Sequence, residues 1–223
     1  MSEDVKTKEG VSEAVAEKKE ATEDPKAEVL SFFKTLGIFL IVAMSVRTIV
    51  VEPFKIPSGS MIPTLQIGDY ILVSKWDFGL HIPFFPHAFA EWNSPKREDI
   101  VVFTRPDNPE TPYNDESSVN IIKRVVAVAG DTIEVKADKV YLNGEVLQEQ
   151  RYQTRWLDGG QKDFGPSVVP EGHVFLMGDN RDRSKDSRFW KPSPFLPVNR
   201  VVGKARMIYW RWDTFSRIGT LLY

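Results

Sequence analysis

Hydrophobic and polar positions divide the chain into three regimes. From Met1 to Glu28 the sequence is rich in Glu, Lys and Ala and has no aromatic residue. Such a segment buries too little apolar surface to offset the entropy of ordering it, so residues 1–28 are expected to form a disordered polar tail. At Leu30 the pattern changes abruptly. The run LSFFKTLGIFLIVAMSVRTIVV, Leu30 to Val51, is compatible with a helix and is almost wholly apolar between Leu36 and Val46. At ~1.5 Å per residue it reaches about 33 Å, close to the thickness of a bilayer's hydrocarbon core. Residues 29–51 are therefore expected to be a transmembrane anchor, with Lys34 and Arg47 able to snorkel towards opposite interfaces. A cleavable leader is a competing reading, since Ala43-Met44-Ser45 has a small-x-small pattern, and a buried soluble helix is another. Lys18, Lys19, Lys26 and Lys34 precede the apolar run, whereas Arg47 and Lys55 follow it. That bias favours a cytoplasmic N-terminus and a C-terminal body on the far side of the membrane.

From Glu52 onwards apolar residues come in short β-branched runs. Tyr70 to Val73, Ile100 to Phe103, Ile121-Ile122 with Val125-Val126, Thr132 to Val135, Val174 to Leu176 and Ala205 to Trp212 all read as strands. Val140-Tyr141-Leu142 and Glu145-Val146-Leu147 flank Asn143-Gly144, the signature of a type I′ hairpin. Gly68-Asp69, Gly130-Asp131 and Gly178-Asp179 mark turns. Residues 52–223 are thus predicted to be a β-rich, barrel-like domain, and the fold class mainly β. Within it Trp76 to Trp92, WDFGLHIPFFPHAFAEW, packs two Trp and four Phe among Pro and Gly. It reads as a loop dipping into the membrane interface or, alternatively, folded onto the sheet's own core.

Composition narrows the chemistry. The 223 residues carry 29 basic and 31 acidic side chains, a net charge of −2, so nothing marks a nucleic-acid partner. Without cysteine there is no disulfide, thiolate metal site or thiol nucleophile. His81, His87 and His173 are too few and scattered for most metal centres, so neither metal nor cofactor is expected. The remaining candidates for chemistry are Ser, Thr, Lys, Asp, Glu, Tyr and Arg.

Three segments concentrate those residues. In IPSGSMIPTL, Ile56 to Leu65, two prolines bracket a bend on which Ser60 would be presented, although a bend of this kind is more often only a loop. In NIIKRVVAVAGD, Asn120 to Asp131, Lys123 lies inside a β-branched stretch with Arg124 directed to the opposite face. A strand lysine usually guards an edge, but a buried one loses hydration and becomes a base at neutral pH. In MGDNRDRSKDSR, Met177 to Arg188, acidic residues alternate with four basic ones, which argues against a calcium loop.

Together, in this order and behind an N-terminal anchor, PSGSMIPTL, KRVVAVAGD and GDNRDRSKDSR resemble the type I signal peptidases, membrane-bound Ser/Lys endopeptidases that remove signal peptides from exported preproteins. The resemblance covers the anchor and nearly all of Glu52 to Tyr223. It departs after Arg188, where the family soon reaches Gly-x-Val-Pro and this chain has Phe189 to Pro197 instead. The resemblance implies Ser60 as nucleophile and Lys123 as general base. It implies an oxyanion hole from the Ser60 N–H and the Ser58 hydroxyl, and Ser184 as the group that orients the lysine. Asp179 and Asp186, paired with Arg124 and Arg188, would be structural supports. Phe54, Ile56 and Pro57, with Asn120, Ile121 and Ile122, would be the strand segments along which an extended signal peptide binds. Small residues at −1 and −3 of the cleavage site follow from alternate side chains entering shallow apolar pockets. The implied partners are preprotein signal peptides and membrane lipid, the implied state a monomer, and the implied location the bacterial cytoplasmic membrane, crossed once, with the catalytic domain outside. Two rival readings are a self-cleaving repressor using the same pair, which would carry a DNA-binding module instead of an anchor, and a non-enzymatic membrane-tethered β module.

Overall fold

The computed structural model describes residues 25–80, 90–91, 93–106, 118–149, 152–156 and 163–222. The polar tail expected over residues 1–28 therefore lies almost wholly outside the described residues. A helix, α1, runs Pro25–Ile49. Proline suits a first helical turn, where its missing N–H costs nothing, and Glu28 complements the positive end of the helix dipole. Phe32, Phe33, Phe39, Ile41 and Met44 are exposed, and by length and composition Lys26–Ser45 can cross a membrane. The sequence pattern carried the apolar segment on to Val51, but Val51 begins a strand paired with Ser74, two residues before a proline that no helix interior accommodates.

Residues 45–223 form a separate compact unit. Its strands are β1 Val51–Lys55, β2 Tyr70–Ser74, β3 Gly79–Leu80, β4 Ala90–Glu91, β5 Ile100–Pro106, β6 Ser118–Val128 and β7 Thr132–Lys136. They continue with β8 Lys139–Leu142, β9 Glu145–Val146, β10 Phe164–Val168, β11 His173–Met177, β12 Leu196–Pro197 and β13 Val201–Trp210. Seven of them make one sheet in the order β1-β2-β13-β5-β6-β11-β12, and four make a second in the order β10-β7-β8-β9. The pairings within both sheets are antiparallel. The protein is thus mainly β with one N-terminal apolar helix. Asn143 and Gly144, at φ 55° and 87°, supply the two positive values a type I′ turn requires between β8 and β9.

Ile121-Ile122 and Val125-Val126 belong to a single strand of 11 residues, β6, because β5 pairs with it from Ser118 to Arg124 and β11 from Arg124 to Val128. The handover matters. Among the described residues, the Ser118–Lys123 half of β6 has no neighbouring strand on the side away from β5, and β1 likewise ends the sheet. Four strand steps separate β1 from β6, about 19 Å if the sheet were flat. Instead Ile56, just past β1, shares one core cluster with Ile122 of β6, together with Met61, Leu65, Ile71 and Ile208. The sheet is curled, and its two free edges are drawn towards one another.

A second cluster joins the two sheets through Val126, Ile133, Val140, Phe175 and Phe195. A third holds Val101, Phe103, Val125, Trp190 and Leu196. The connection from Phe189 to Pro197 therefore runs between the last two clusters, with Trp190 and Phe195 buried and Leu196 entering β12. Within the aromatic segment Trp76 is exposed and Phe78 is buried in the third cluster, while 81–89 and 92 lie outside the described residues.

Candidate active site

The chain leaving β1 turns sharply and is fastened before it reaches Ser60. Ile56 donates to the Asp69 carbonyl at 2.9 Å and accepts from the Gly68 N–H at 3.0 Å. Met61 and Leu65 are fully buried, so two apolar anchors follow immediately after Ser60, while Pro57 and Ser58 remain exposed. Gly59 is not among the glycines with positive φ, so the bend does not rest on left-handed backbone there. The bend is held from outside instead. Asn180 donates its backbone N–H to the Ser60 carbonyl and its Nδ2 to the Gly59 carbonyl, both at 3.0 Å. Gly178 allows that approach, since a Cβ there would collide with Ser184 Oγ and the Ser60 carbonyl oxygen.

Lys123 reaches this bend from β6. Its Nζ lies 2.7 Å from Ser60 Oγ and donates to its neighbour Ile122's carbonyl at 2.9 Å. Both side chains are shielded, with Ser60 8% and Lys123 4% exposed. Burial pushes the lysine's pKa down to about 8, against the opposing pull of the Asp186 and Asp179 carboxylates. A lysine in this setting can be neutral at moderately alkaline pH and accept a proton from a hydroxyl within hydrogen-bonding distance.

Those two carboxylates are each engaged by an arginine. Arg124 donates to Asp179 through Nε at 2.8 Å and Nη2 at 2.7 Å, and its Nη1 donates to the Glu98 carbonyl at 2.7 Å. Arg188 grips Asp186 the same way, at 2.8 and 2.9 Å, while Asp186 also accepts the Gly178 N–H at 3.0 Å. Thr64 donates a further hydrogen bond to Asp179. The four charged side chains are essentially inaccessible to solvent, and two-pronged pairing satisfies groups that would otherwise be costly to bury. Tyr152 lies over the Arg124 guanidinium at 3.8 Å, and Arg181 pairs with Glu149.

The remaining sequence-selected residues fall around this centre. Phe54 is half-buried against the first core cluster, Ile56 and Ile122 are buried, Ile121 is half-buried, and Asn120 is exposed. Ser184 is buried behind Gly178, but its Oγ has no hydrogen-bond partner, so the bond to Lys123 implied by the resemblance is not made here. The sequence did not single out Asn180 and Thr64, which stand inside the GDNRDRSKDSR and PSGSMIPTL motifs, nor Tyr152, Arg155 and Glu149. Asn180 and Thr64 had a usable signal in their place within those motifs. An open cleft of about 400 Å³ borders the pair, lined in part by Ser58, Ser60, Ile62, Lys123 and Asn180. Among the described residues no group of three or more His, Asp or Glu is placed to hold a metal ion.

Comparison with known proteins bears on the whole of this region. The family model described as "Signal peptidase, peptidase S26" matches residues 29–210. A protein of Pseudomonas fluorescens named signal peptidase I is 36% identical, over 86% of this chain and 77% of its own length. One of Leptolyngbya laminosa with the same name is 31% identical, over 89% of each chain. A solved structure of a signal peptidase I from Enterococcus faecalis is 29% identical, with a TM-score of 0.38, covering 50% of this chain and 97% of its own. With the match running from inside the apolar helix to the end of β13, the chain belongs to the signal peptidase family, peptidase S26.

Proposed function

We propose that this protein cleaves signal peptides from exported preproteins as a membrane-bound serine endopeptidase, with Ser60 as nucleophile and Lys123 as the sole general base. The observation that carries the reading is the 2.7 Å separation of Ser60 Oγ from a buried Lys123 Nζ. A neutral amine at that distance takes the serine proton as Oγ attacks the scissile carbonyl, then returns it to the leaving amide nitrogen. A second pass with water in place of serine releases the new C-terminus. This is the Ser–Lys variant of triad chemistry, in which one lysine does the work of a His–Asp pair.

Developing negative charge on the carbonyl oxygen calls for donors fixed beforehand. The Ser60 N–H, which meets no acceptor among the described residues, and the exposed Ser58 hydroxyl serve as the oxyanion hole. The substrate lies extended between the free edge of β1, at Phe54, Ile56 and Pro57, and the unpaired edge of β6, at Asn120, Ile121 and Ile122. Strand addition supplies backbone hydrogen bonds, and alternation sends only every second side chain towards the enzyme. The Arg124–Asp179 and Arg188–Asp186 pairs hold the loop that clamps the serine bend. The helix α1 anchors the protein in the bacterial cytoplasmic membrane as a monomer, N-terminus inside and catalytic unit outside.

The test uses the full chain in detergent with a preprotein, followed by N-terminal sequencing of the product. Cleavage after a small-x-small sequence is expected. Ser60→Ala is expected to be inactive, and Ser58→Ala to lose about 10²–10³ in kcat, the usual loss for one oxyanion donor. An active Ser60→Ala protein would refute the nucleophile assignment.

A further inference from the structure

The cleft beside Ser60 has an uneven lining. None of the strand-edge residues assigned to the upstream part of the substrate, Phe54, Ile56, Asn120, Ile121 and Ile122, belongs to it. Besides the serine bend and Lys123, its lining includes Arg155, Arg183 and Lys185, together with Asn180. Among the described residues no acidic side chain lines the cleft. All three cations are exposed, and none has an acidic partner among the described residues. By contrast Arg181 and Arg188, from the same loop as Arg183 and Lys185, are buried and paired, as is Arg124 of β6. The loop from Met177 to Arg188 therefore sorts its basic residues into two sets, Arg181 and Arg188 neutralised inside and Arg183 and Lys185 left facing the cleft.

A peptide whose upstream half follows the β1 and β6 edges to Ser60 must continue past the scissile bond into this cleft. At about 3.3 Å per residue, its first three downstream residues travel roughly 10 Å, which carries them along the cationic wall. Side chains of one sign in a partly enclosed site set up a field that attracts opposite charge and repels like charge.

We infer that Arg155, Arg183 and Lys185 form a downstream specificity wall that favours acidic and disfavours basic residues in the first few positions of the mature protein. This rests on the Ser60–Lys123 reading, which fixes where the scissile bond lies. The wall acts on substrate choice and leaves the chemical step to the dyad. Arg155 also holds its place in the fold through backbone bonds, donating to the Asp179 carbonyl at 2.8 Å and accepting from the Arg181 N–H at 2.9 Å, so its side chain is carried on a fixed support.

The test is a set of three peptides identical up to the cleavage site and carrying Glu, Ala or Lys at the second and third positions beyond it. The full-length protein is assayed in detergent. Wild type is expected to show kcat/KM about tenfold higher for the Glu peptide than for the Lys peptide at ~0.01 M salt, with the ratio collapsing towards one at ~1 M, where the screening length is ~3 Å. The triple variant Arg155→Gln, Arg183→Gln, Lys185→Gln is expected to lose the ratio at low salt. Lys185→Glu alone, at a site exposed enough to spare the fold, is expected to lower or invert it. Equal rates for the three peptides in wild type, or a ratio unchanged in both variants, would overturn the wall while leaving the dyad standing. No cleavage of the Ala peptide would instead overturn the dyad reading, and the wall with it.

Discussion

Lys123 has to be neutral before it can accept the Ser60 proton, and its surroundings set the pH at which that happens. Burial lowers its pKa from 10.5 to about 8. The protonated form prevails below that value and is inactive as a base, so kcat/KM is expected to rise with pH and level off above about 8. Lys123→Arg is expected to be inactive at every pH, because a guanidinium does not give up its proton. A pH–rate profile of the two proteins decides this, and an optimum on the acid side or an active arginine variant would remove the lysine from the mechanism. From the residues alone neither Ser60 nor Lys123 stood apart from an ordinary loop serine and a strand-edge lysine. Their pairing became legible only through the ordered resemblance, since nothing in a separation of 63 positions along the chain encodes a contact. Asn180 went unread for a related reason. It acts through two backbone carbonyls, Ser60 and Gly59, and backbone acceptors leave no trace in sequence.

At the scale of elements, the loop from Gly178 to Phe189 does two things at once. It clamps the serine bend, and it places two carboxylates near a lysine that must lose its charge. Asp186 and Asp179 both favour the protonated lysine, and each carboxylate is gripped by an arginine whose positive charge opposes that pull by Coulomb's law. Removing one arginine should therefore show in stability and in pH dependence together. Arg188→Gln leaves Asp186 buried without its cation, which is expected to cost about 3–5 kcal/mol in denaturant unfolding. The freed carboxylate also holds Lys123 protonated to higher pH, so the rising limb of the rate profile should move in the alkaline direction. A limb that stays in place while stability falls would reduce the pair to a purely structural role. The motif residues of this loop were visible in the sequence because charge and turn residues are dense there. Tyr152 and Arg155 were not, for they come from a segment with no strand pattern and little resemblance; Arg155 joins this loop by backbone pairing and Tyr152 lies over Arg124.

For the whole molecule, an apolar helix of 25 residues spans about 37 Å and makes a membrane anchor the natural expectation. Membranes from cells expressing the protein should retain it in the pellet after alkaline carbonate extraction, and release into the supernatant would rule the anchor out. The sequence by itself determined that a long apolar run precedes a β-rich body, because bilayer thickness and the two-residue period of strands are one-dimensional constraints that composition must satisfy locally. It determined the Asn143-Gly144 hairpin for the same reason, two adjacent residues sufficing to permit positive φ. The apolar run outlasts the helix, which ends at Ile49, since Val51 suits a helix or a strand and its pairing with Ser74 settles the matter. Only the tertiary structure decided that β1 and β6, four places apart in the sheet, meet at Ser60 and Lys123. Only it decided which basic residues are neutralised inside and which face the cleft. Both depend on sheet curl and on burial, which sum contacts between residues far apart in the chain and cannot be read from any local window.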